Sequence, residues 1–460
     1  MILLMRNLVK SMLLAALLAA GVSCEKQFEE IAEVQPEKHA AADVVTSYEV
    51  SYEEALAKAD ALFAGIDGAT TRAGNRRVRN HELFRSGNRF TRTASDDVEA
   101  KFHIINYEDN AGFAMIAADK RATDIYAYSD TGNLYVDDAM KNSGFGVFME
   151  GAIELYKNEI ASPMSILPDD SLIITPRPGL NGEFGDIPDL PLVKIDNTFY
   201  LVRYGAYTTS SSKRPLVPVK WHQANPYNYY CSSCSDYVGT NYYGRCAAGC
   251  GPVAAAQIMA YHKHPASYSG YIFDWDNMLQ NFNMWKDKPN DESLMVAYLI
   301  REIGRAAKAD YGKETGVTLA NIKKMFPKFG YNITGADYDV DKVKISLDNN
   351  RPVYARGQTK SGDGHAWVID GYDYQVLKNI YYNAYEPYNI AWVDIIGQRT
   401  YVHCNWGWSS ETYNKNTEYY NNAYFLSGAF VVTRKNSDGS EKTFDYTKKN
   451  KIIYNIYPKQ

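Results

Sequence analysis

A cysteine at position 250 stands where the local sequence can make a thiol reactive. The run GRCAAGCGPVAAAQIMAYHKHP, residues 244–265, becomes small and apolar with helical spacing from Cys250 onward, and Pro265 ends the pattern. Pro252 suits the first turn of a helix, where its missing N–H costs nothing. We therefore predict that Cys250 begins a helix, whose unpaired N–H groups and dipole favour the thiolate over the thiol. A buried cysteine that packs as a small hydrophobic residue is the alternative.

A nucleophilic thiol needs a base, and His365 has the most suitable surroundings of the eight histidines. It lies in GDGHAWVIDG, residues 362–371, where glycines on one side let a substrate backbone approach and an apolar strand on the other side holds the ring. We expect Gly364, Ala366 and Trp408 to line the substrate cleft beside it. A core histidine on a strand is the alternative.

Two other segments hold polar groups that such a site could use. The NWGW run begins with Asn405 and Trp406, an amide and an indole that could orient and shield the imidazole. Gln223 lies upstream and has a side-chain N–H that could stand at an oxyanion. Each signal is weak alone, but the order Gln, Cys, His, Asn/Trp is that of papain-type thiol proteases.

Together these segments resemble the streptopain family of secreted bacterial cysteine peptidases over about residues 216–430. The resemblance rests on WHQ and PYN within residues 221–228, GC and AQIMAYHK within 249–263, GHAWVIDG at 364–371 and NWGW at 405–408. It implies a papain-like fold with Cys250 as nucleophile and His365 as base. It also implies that Gln223 stands at the oxyanion hole and that Trp406, next to Asn405, supports the imidazole.

The N-terminal half resembles the inhibitory propeptide of the same family. The similar segments are GFA at residues 112–114 and IYAYSDTG at residues 125–132. The resemblance therefore implies a zymogen. The sequence departs from the family pattern at Ser409-Ser410, in an insertion at residues 375–399 and in a Tyr/Asn-rich loop at residues 411–422, and these differences bear on substrate preference.

Length and pattern predict a two-domain α+β protein. The chain has 460 residues, which is too long for one ordinary domain, and its formal charge of −5 gives no basic footprint for nucleic acid. Ser51 and Glu54 form a capping-box pattern ahead of a helix over residues 52–64. The remaining predicted elements of the N-terminal unit are strands at 102–105, 112–116, 125–128 and 134–136 and a helix at 147–160.

The C-terminal half reads as helices followed by an antiparallel sheet, the layout of a papain-like peptidase domain. Besides the helix at Cys250, helices are predicted at 294–308 and 317–329. Strands are predicted at 352–355, 365–370, 380–385, 390–395 and 400–403, and the final strands, 430–433 and 451–457, are expected to pair.

The first residues predict export. Basic residues precede an apolar run at 12–22 that is too short to cross a bilayer, and GVSC, ending at Cys24, resembles a lipobox. We therefore predict a signal peptide over residues 1–24, of the lipoprotein type with Cys24 lipidated. The membrane would be contacted only through this anchor, and the protein would be an outer-membrane or cell-surface lipoprotein, or secreted after processing.

Residues 25–214 are assigned to a prodomain and linker, and residues 215–460 to the peptidase domain. The linker ends in an exposed basic tip, where Lys213 and Arg214 offer a protease an activation site. A solvated loop that is never cleaved is the alternative.

The remaining cysteines need partners. With Cys250 kept as a thiolate, an exported protein is expected to pair two of Cys231, Cys234 and Cys246, or one of them with Cys404. The CxxC spacing also suits zinc, but no second Cys/His pair stands at finger spacing, so we predict no metal and no cofactor. Cys246 is the alternative nucleophile, although it lies a full turn before the apparent helix.

We therefore predict an exported cysteine endopeptidase, made as a zymogen, that acts on protein or peptide substrates and is inhibited by its own prodomain. Two alternatives belong to other classes. One is a non-catalytic exported adhesin or binding module on the same scaffold, and the other is a Cys-His acyltransferase or amidase.

Overall fold

An antiparallel sheet runs through both halves of the chain in the computed structural model, and it has 14 strands among the described residues. The structure describes residues 47–67, 76–87, 98–136, 143–161, 173–174, 192–195, 198–238, 240, 242–280, 289–312, 314–360, 362–383, 390–408, 422–435, 441–445 and 448–460. Below, residues 48–161 are the N-terminal part, 162–214 the connecting segment and 215–460 the C-terminal part.

The N-terminal part combines four strands with two helices. The elements are α1 (Tyr52–Asp67), β1 (Val78–Arg85), β2 (Lys101–Tyr107), β3 (Phe113–Ala117), β4 (Ile125–Ser129) and α2 (Gly144–Ala161). The predicted capping box forms at the start of α1, where the Glu54 N–H donates to the Ser51 hydroxyl and the Ser51 N–H donates to the Glu54 carboxylate. All five residues of β3 and of β4 are buried, so these strands are covered on both faces.

The C-terminal part supplies helices first and strands second, as predicted. Its helices are α3 (Cys250–His262), α4 (Trp275–Leu279), α5 (Asp291–Ala306), α6 (Leu319–Met325) and α7 (Val340–Asp348). Its main strands are β11 (Tyr331–Asp337), β12 (Val353–Gln358), β13 (Gly364–Asn383), β14 (Ile390–Asn405), β15 (Ala423–Leu426) and β18 (Lys448–Pro458). Two small hairpins complete it, β9 (Ser267–Tyr268) with β10 (Tyr271–Ile272) and β16 (Val431–Lys435) with β17 (Glu441–Asp445).

Strand alternation separates two hydrophobic cores on opposite faces of the sheet. Trp367 and Ile369 of β13 belong to the core that contains the buried residues of α1, α2 and α7. Ala366 and Val368 of the same strand belong to the core formed with α3, α5 and α6. The α+β prediction is therefore confirmed, because helices pack on an antiparallel sheet.

The N- and C-terminal parts join edge to edge through β4 and β15. The strand order is β1-β2-β3-β4-β15-β14-β13-β12-β18-β11. At the junction Tyr128 lies opposite Tyr424, and the Tyr128 hydroxyl donates a 2.6 Å hydrogen bond to the buried carboxylate of Asp373. The Tyr401 hydroxyl donates to the carbonyl of Ile125 at 2.9 Å. Backbone and side-chain hydrogen bonds thus fix one part on the other.

The connecting segment contributes strands where the sequence predicted only a loop. They are β5 (Ile173–Ile174), β6 (Leu192–Ile195), β7 (Thr198–Arg203) and β8 (Tyr207–Lys213). β7 and β8 pair with β13 beyond the end of β12, within and next to the insertion at residues 375–399. The long hairpin of β13 and β14 provides the free edge on which these strands form.

Several element predictions differ from the structure. The strands predicted at 365–370 and 380–385 belong to one strand, β13, and those predicted at 390–395 and 400–403 belong to β14. Residues 134–136 form no strand, and the helix predicted over residues 317–329 is divided into α6 and a short 3-10 turn at Phe326–Phe329 that contains Pro327. The expected pairing of residues 430–433 with 451–457 is wrong. β16 pairs with β17, because a hairpin closes locally, while β18 pairs with β12 and β11.

Some predictions fall outside the described residues: the signal peptide, Cys24, Ser409-Ser410 and residues 411–421 of the Tyr/Asn-rich loop. Among the described residues, no helix has the length and apolar character needed to cross a bilayer.

The junction gives a stability prediction. Tyr128→Phe is expected to lower the free energy of unfolding of the full-length protein by about 1–3 kcal/mol, because the buried Asp373 carboxylate loses a donor. Guanidinium unfolding followed by tryptophan fluorescence measures the change. Tyr126→Phe is the matched control: its hydroxyl donates to Glu159 within the N-terminal part, and Glu159 keeps two donors from Thr123 whereas Asp373 keeps only the Gln375 amide, so a smaller loss is expected. Equal stability of Tyr128→Phe and wild type would contradict the role of this contact.

Candidate active site

Cys250 is the first residue of α3, as the sequence predicts. Gly249 precedes it with φ +89°, a conformation that favours glycine, and a Cβ at Gly249 would lie 2.9 Å from Thr315 Cγ2. The tight entry therefore requires glycine on two grounds. No side chain caps this helix, so its first N–H groups remain directed at the thiol end of α3.

The thiol of Cys250 and the imidazole of His365 are hydrogen-bonded to each other. His365 lies near the start of β13, opposite Gly357 of β12, and its side chain is buried. Its Nε2 lies 2.9 Å from the carbonyl oxygen of Trp406, which can only accept, so Nε2 donates. This contact leaves Nδ1 for the thiol and fixes the tautomer that can act as a base.

The two pKa values move in the directions of a thiolate–imidazolium pair. Burial raises the pKa of the Cys250 thiol, but the charge and hydrogen bond of His365, the Ala366 N–H and the charge of Arg356 together outweigh burial, and the net pKa is lowered. Burial likewise lowers the pKa of His365, but the Cys250 thiolate and the Trp406 carbonyl outweigh it, and the net pKa is raised. Each group therefore favours the charged form of the other.

Gln223 is held close to the nucleophile through its backbone. The Ala248 N–H donates to the Gln223 carbonyl at 2.9 Å, two residues before Cys250. Gln223 is buried, with 7% of its surface exposed. The neighbouring His222 is not a second base, because burial lowers its pKa to about 3 and its Nδ1 accepts the Ala224 N–H.

The amide of Asn405 contacts the polypeptide that carries Gln223, and the carbonyl of Trp406 contacts the imidazole. Asn405 Nδ2 donates to the carbonyl of Val219 at 2.7 Å, and Asn405 Oδ1 accepts from the Gln257 amide at 3.1 Å. Gln257 also donates to the carbonyl of Trp221 at 2.7 Å. Gln257 thus ties α3, the Gln223 segment and the NWGW segment together. The sequence analysis assigned it no role, although a polar residue on an apolar helix is a detectable signal.

The residues expected to line the cleft surround the dyad. The ring of Trp408 meets the His365 ring edge to face at 5.7 Å. The backbone N–H of Ala366 donates to the Cys250 sulfur, and Gly364, at the start of β13, is exposed. The Trp406 indole is buried against Trp367 and Phe425 on the opposite core.

Helix α2 of the N-terminal part packs directly on the imidazole. A Cβ at Gly144 would lie 2.3 Å from Trp406 Cε3 and 2.8 Å from His365 Cδ2, so only glycine permits this approach. One turn later, Val147 packs on Gly357, the residue opposite His365. The start of α2 therefore fits against the back of the dyad.

The same helix fixes the turn between β12 and β13. The carboxylate of Glu150 accepts the backbone N–H of Lys360 at 2.8 Å, and Glu154 pairs with the Lys360 ammonium at 2.9 Å. Glu150 is 5% exposed, although it lies on an otherwise apolar helix face. The turn leads into Gly364 and His365, so α2 holds the loop as well as the ring. The sequence analysis did not identify these two glutamates.

The three upstream cysteines lie together. Residues 232–234 and 244–246 pair across a bridge between Ser233 and Arg245, and the thiols of Cys234 and Cys246 are in hydrogen-bond contact. Burial and this contact raise the pKa of Cys246 to about 11, and burial raises that of Cys231 to about 12. All five cysteines in the described part of the chain, including the buried Cys404, are free thiols. No group of metal-binding side chains is found among the described residues.

The predicted cleavage site lies between strand β8 and a segment that is hydrogen-bonded to Asp370. Lys213 ends β8 opposite Tyr372, and Arg214 is exposed. Immediately afterwards, the N–H groups of Leu216 and Val217 donate to the backbone carbonyl and the carboxylate of Asp370. The other carboxylate oxygen of Asp370 pairs with His403 at 2.5 Å. The chain after the basic pair is therefore fixed by a buried carboxylate.

Comparison with protein families gives two matches along the chain. Residues 221–420 match the Peptidase C10 family, and residues 47–154 match the Spi protease inhibitor family. The first range contains Gln223, Cys250, His365 and the NWGW segment. The second contains α1, the four-stranded sheet and the part of α2 that packs on His365.

The chain is also similar to curated proteins. It is 23% identical to streptopain of Streptococcus pyogenes over 347 residues, which cover 65% of this chain and 69% of the relative. It is 23% identical over 316 residues to the thiol protease/hemagglutinin PrtT of Porphyromonas gingivalis, covering 62% of this chain and 32% of that one. Among solved structures, a prointerpain A fragment of Prevotella intermedia aligns with a TM-score of 0.49 and 18% identity, covering 83% of this chain and all of that chain.

These findings confirm the predicted peptidase over the binding-module and acyltransferase alternatives. The protein is a cysteine endopeptidase that is made as a zymogen, and its propeptide is of the inhibitor type. Residues 221–420 form a streptopain-like Peptidase C10 domain, and residues 47–154 ahead of it form a Spi-type inhibitor domain.

Proposed function

We propose that Cys250 is the nucleophile and His365 the general base of this peptidase. The observation that carries the assignment is the hydrogen bond between the two side chains, together with the opposite shifts of their pKa values. The alternative nucleophile, Cys246, has a thiol whose pKa is raised to about 11. It would be almost entirely protonated near neutral pH.

In the proposed reaction the Cys250 thiolate attacks the carbonyl carbon of the scissile peptide bond. The Cys250 N–H and the Gln223 side chain stabilise the negative oxygen of the tetrahedral intermediate. The imidazolium of His365 gives its proton to the leaving amine, and a thioester remains on the sulfur. Water, deprotonated by the same imidazole, then attacks the thioester and releases the carboxylate product.

Trp406 and Asn405 position these groups without touching the substrate. The Trp406 carbonyl holds Nε2 of His365, so the ring keeps Nδ1 towards the sulfur at every stage. The Asn405 amide holds the backbone of the segment that carries Gln223. Gly364, Ala366 and Trp408 are proposed to line the cleft, with Gly364 leaving room for the substrate backbone.

The prodomain is proposed to span residues 25–214 and the peptidase domain residues 215–460. Inhibition follows from α2, which packs Gly144 on the dyad and holds the Lys360 turn through Glu150 and Glu154. Cleavage at Lys213 or Arg214 would separate a strand-paired segment from one anchored on Asp370. The peptidase domain would keep its new N-terminus, and the rest could leave.

Export and a lipid anchor are proposed from the first residues alone. The apolar run at residues 12–22 and the lipobox-like GVSC ending at Cys24 support them. The protein would then be an outer-membrane or cell-surface lipoprotein until cleavage releases the peptidase domain. In an oxidising compartment the contact between Cys234 and Cys246 would allow a disulfide there, away from Cys250.

The dyad predicts a characteristic pH dependence of alkylation. In the processed enzyme, iodoacetamide should react with Cys250 at pH values below the ordinary thiol range, because its pKa is lowered. In His365→Ala the thiol loses the two largest effects that oppose burial, although the Ala366 N–H and the Arg356 charge remain, so the thiol pKa rises and the alkylation rate at pH 7 falls by about tenfold or more. Peptide hydrolysis should decline again at high pH, where the imidazolium of His365 loses its proton above the usual imidazole pKa.

Cys246→Ser is the control for this experiment, and its alkylation profile should match that of the wild type. An unchanged profile in His365→Ala, or loss of the rapid reaction in Cys246→Ser, would contradict the assignment of the nucleophile and base.

The oxyanion assignment predicts that Gln223→Ala slows peptide hydrolysis but not alkylation of Cys250. Peptide hydrolysis should lose about 10²–10³-fold in kcat, the usual cost of one oxyanion donor. Alkylation of Cys250 by iodoacetamide should proceed at the wild-type rate, since that reaction develops no oxyanion. Gln280→Ala, which changes an exposed glutamine at the end of α4, is the matched control. A loss of alkylation in parallel with hydrolysis would indicate that Gln223 supports the fold and not the oxyanion.

The processing proposal predicts two masses from the native host. Wild type should yield a mature form that begins at or immediately after Lys213-Arg214, with a free Cys250 thiol. Cys250→Ala cannot cleave itself and should remain full length in the membrane fraction, beginning at a Cys24 that carries acyl chains. Intact-mass and peptide mass spectrometry read both ends. Equal conversion of wild type and Cys250→Ala would exclude self-processing, and an unmodified N-terminus after Cys24 would exclude the anchor.

A further inference from the structure

Arg356 is a half-buried cation at the cleft. It lies on β12 directly opposite Ala366, whose N–H donates to the Cys250 sulfur. Its guanidinium is beside Gly364, since a Cβ built on that glycine would lie 3.5 Å from Arg356 Nη2. The guanidinium therefore lies next to the backbone that the substrate is expected to follow.

Strand alternation places Arg356 on the face of the nucleophile. Tyr354, two residues earlier on β12, directs its hydroxyl at α3, where a Cβ on Gly251 would lie 3.0 Å from it. Side chains two residues apart share one face of a strand, so Arg356 follows Tyr354 towards the cleft end of β12. His365 lies opposite Gly357, the residue after Arg356, so its side chain is on the other face of the sheet. The imidazole and the guanidinium therefore do not occupy the same space.

Arg356 has no ion pair or side-chain hydrogen bond with any described residue, whereas three other half-buried arginines have carboxylate partners. Arg76 pairs with Asp67, Arg399 with Asp124, and Arg121 with Asp119. The α2 carboxylates at the turn between β12 and β13, Glu150 and Glu154, are bound to Lys360, and the Asp363 carboxylate before Gly364 accepts from the Thr359 hydroxyl. A guanidinium removed from part of its water without a partner is costly, and a carboxylate ligand would offset that cost.

We infer that Arg356 makes this peptidase select substrates that carry a carboxylate side chain, aspartate or glutamate, close to the scissile bond. The guanidinium fork suits a carboxylate, which it can bind through two parallel hydrogen bonds. This inference rests on the proposed catalytic site, since the cleft is defined by Cys250 and Gly364.

Arg356 also contributes to the low pKa of Cys250, but His365 contributes more. Stabilising the thiolate therefore does not by itself account for an unpaired guanidinium. A substrate carboxylate would occupy the same half-buried space without displacing a protein partner.

The test uses the processed enzyme and quenched fluorescent peptides that carry either glutamate or its neutral isostere glutamine. The exchange is made at each of the three positions before the scissile bond and at the first position after it. For wild type, kcat/KM for the glutamate peptide should exceed that for the glutamine peptide by about tenfold at one of these positions, the size of one good charge pair. The ratio should fall as salt is added, because the pair is partly exposed.

Variants assign the preference to Arg356. In Arg356→Gln the ratio should fall to about one, in Arg356→Lys it should be partly retained because a point charge replaces the fork, and in Arg356→Glu a lysine peptide should be preferred. Lys324→Gln, an exposed residue of α6, removes the same charge away from the cleft and should keep the wild-type ratio. Peptides with a free or an amidated C-terminus separate a side-chain carboxylate from a terminal one.

Three results would overturn the inference. The first is a glutamate/glutamine ratio near one at every position in wild type, and the second is a preference that survives unchanged in Arg356→Gln. The third is a preference only for a free C-terminus. Cleavage of the neutral peptides and the alkylation profile of Cys250 test the catalytic assignment separately, so failure of the selectivity proposal is distinguishable from failure of the dyad.

Discussion

The hydrogen bond between Cys250 and His365 is the interaction on which the rest of the structure depends. The thiol belongs to a helix that packs on one face of the sheet, whereas the Trp406 carbonyl that holds the imidazole belongs to a segment packed in the core of the other face. The pair can form only at the end of the sheet where the two cores meet. Each group favours the charged form of the other, so the geometry supports the ion pair and the ion pair stabilises the geometry.

A set of buried amides maintains that geometry. Gln257 joins the helix of the nucleophile to the backbone at Trp221 and to Asn405, and Asn405 in turn holds the backbone at Val219. Asp370 holds the preceding residues in the same way, because it accepts the backbone N–H groups of Leu216 and Val217. The extended segment that leads to Gln223 is therefore fixed at several points by residues from α3, β13 and β14. A catalytic constellation of this kind needs such support, since small displacements of an oxyanion donor are expensive.

Local rules predicted much of this from the sequence. The helix at Cys250, the strand at His365, the capping box at Ser51 and the α+β layout follow from periodicity, glycine and proline, and the family resemblance gave the zymogen organisation. Contacts between distant segments were not predictable in the same way. No local pattern shows that Gly144 lies against His365 or that Glu150 binds the backbone of Lys360. Nor does one show that the final strand, β18, pairs with β12 and not with β16. These contacts depend on packing across the sheet, and short stretches of sequence carry no information about such packing.

The junction of β4 with β15 has a further consequence for the released enzyme. While the two parts are joined, the backbone of Tyr424 and Phe425 is hydrogen-bonded on both sides, to β14 and to β4. Departure of β4 would leave one row of those peptide groups unpaired, beside the Tyr424 ring that is stacked on Tyr128 in the full-length protein. Maturation would thus replace the pairing of β4 with β15 by a short exposed strand edge that could pair with another strand. The four-residue length of β15 limits how much another strand could gain by attaching there.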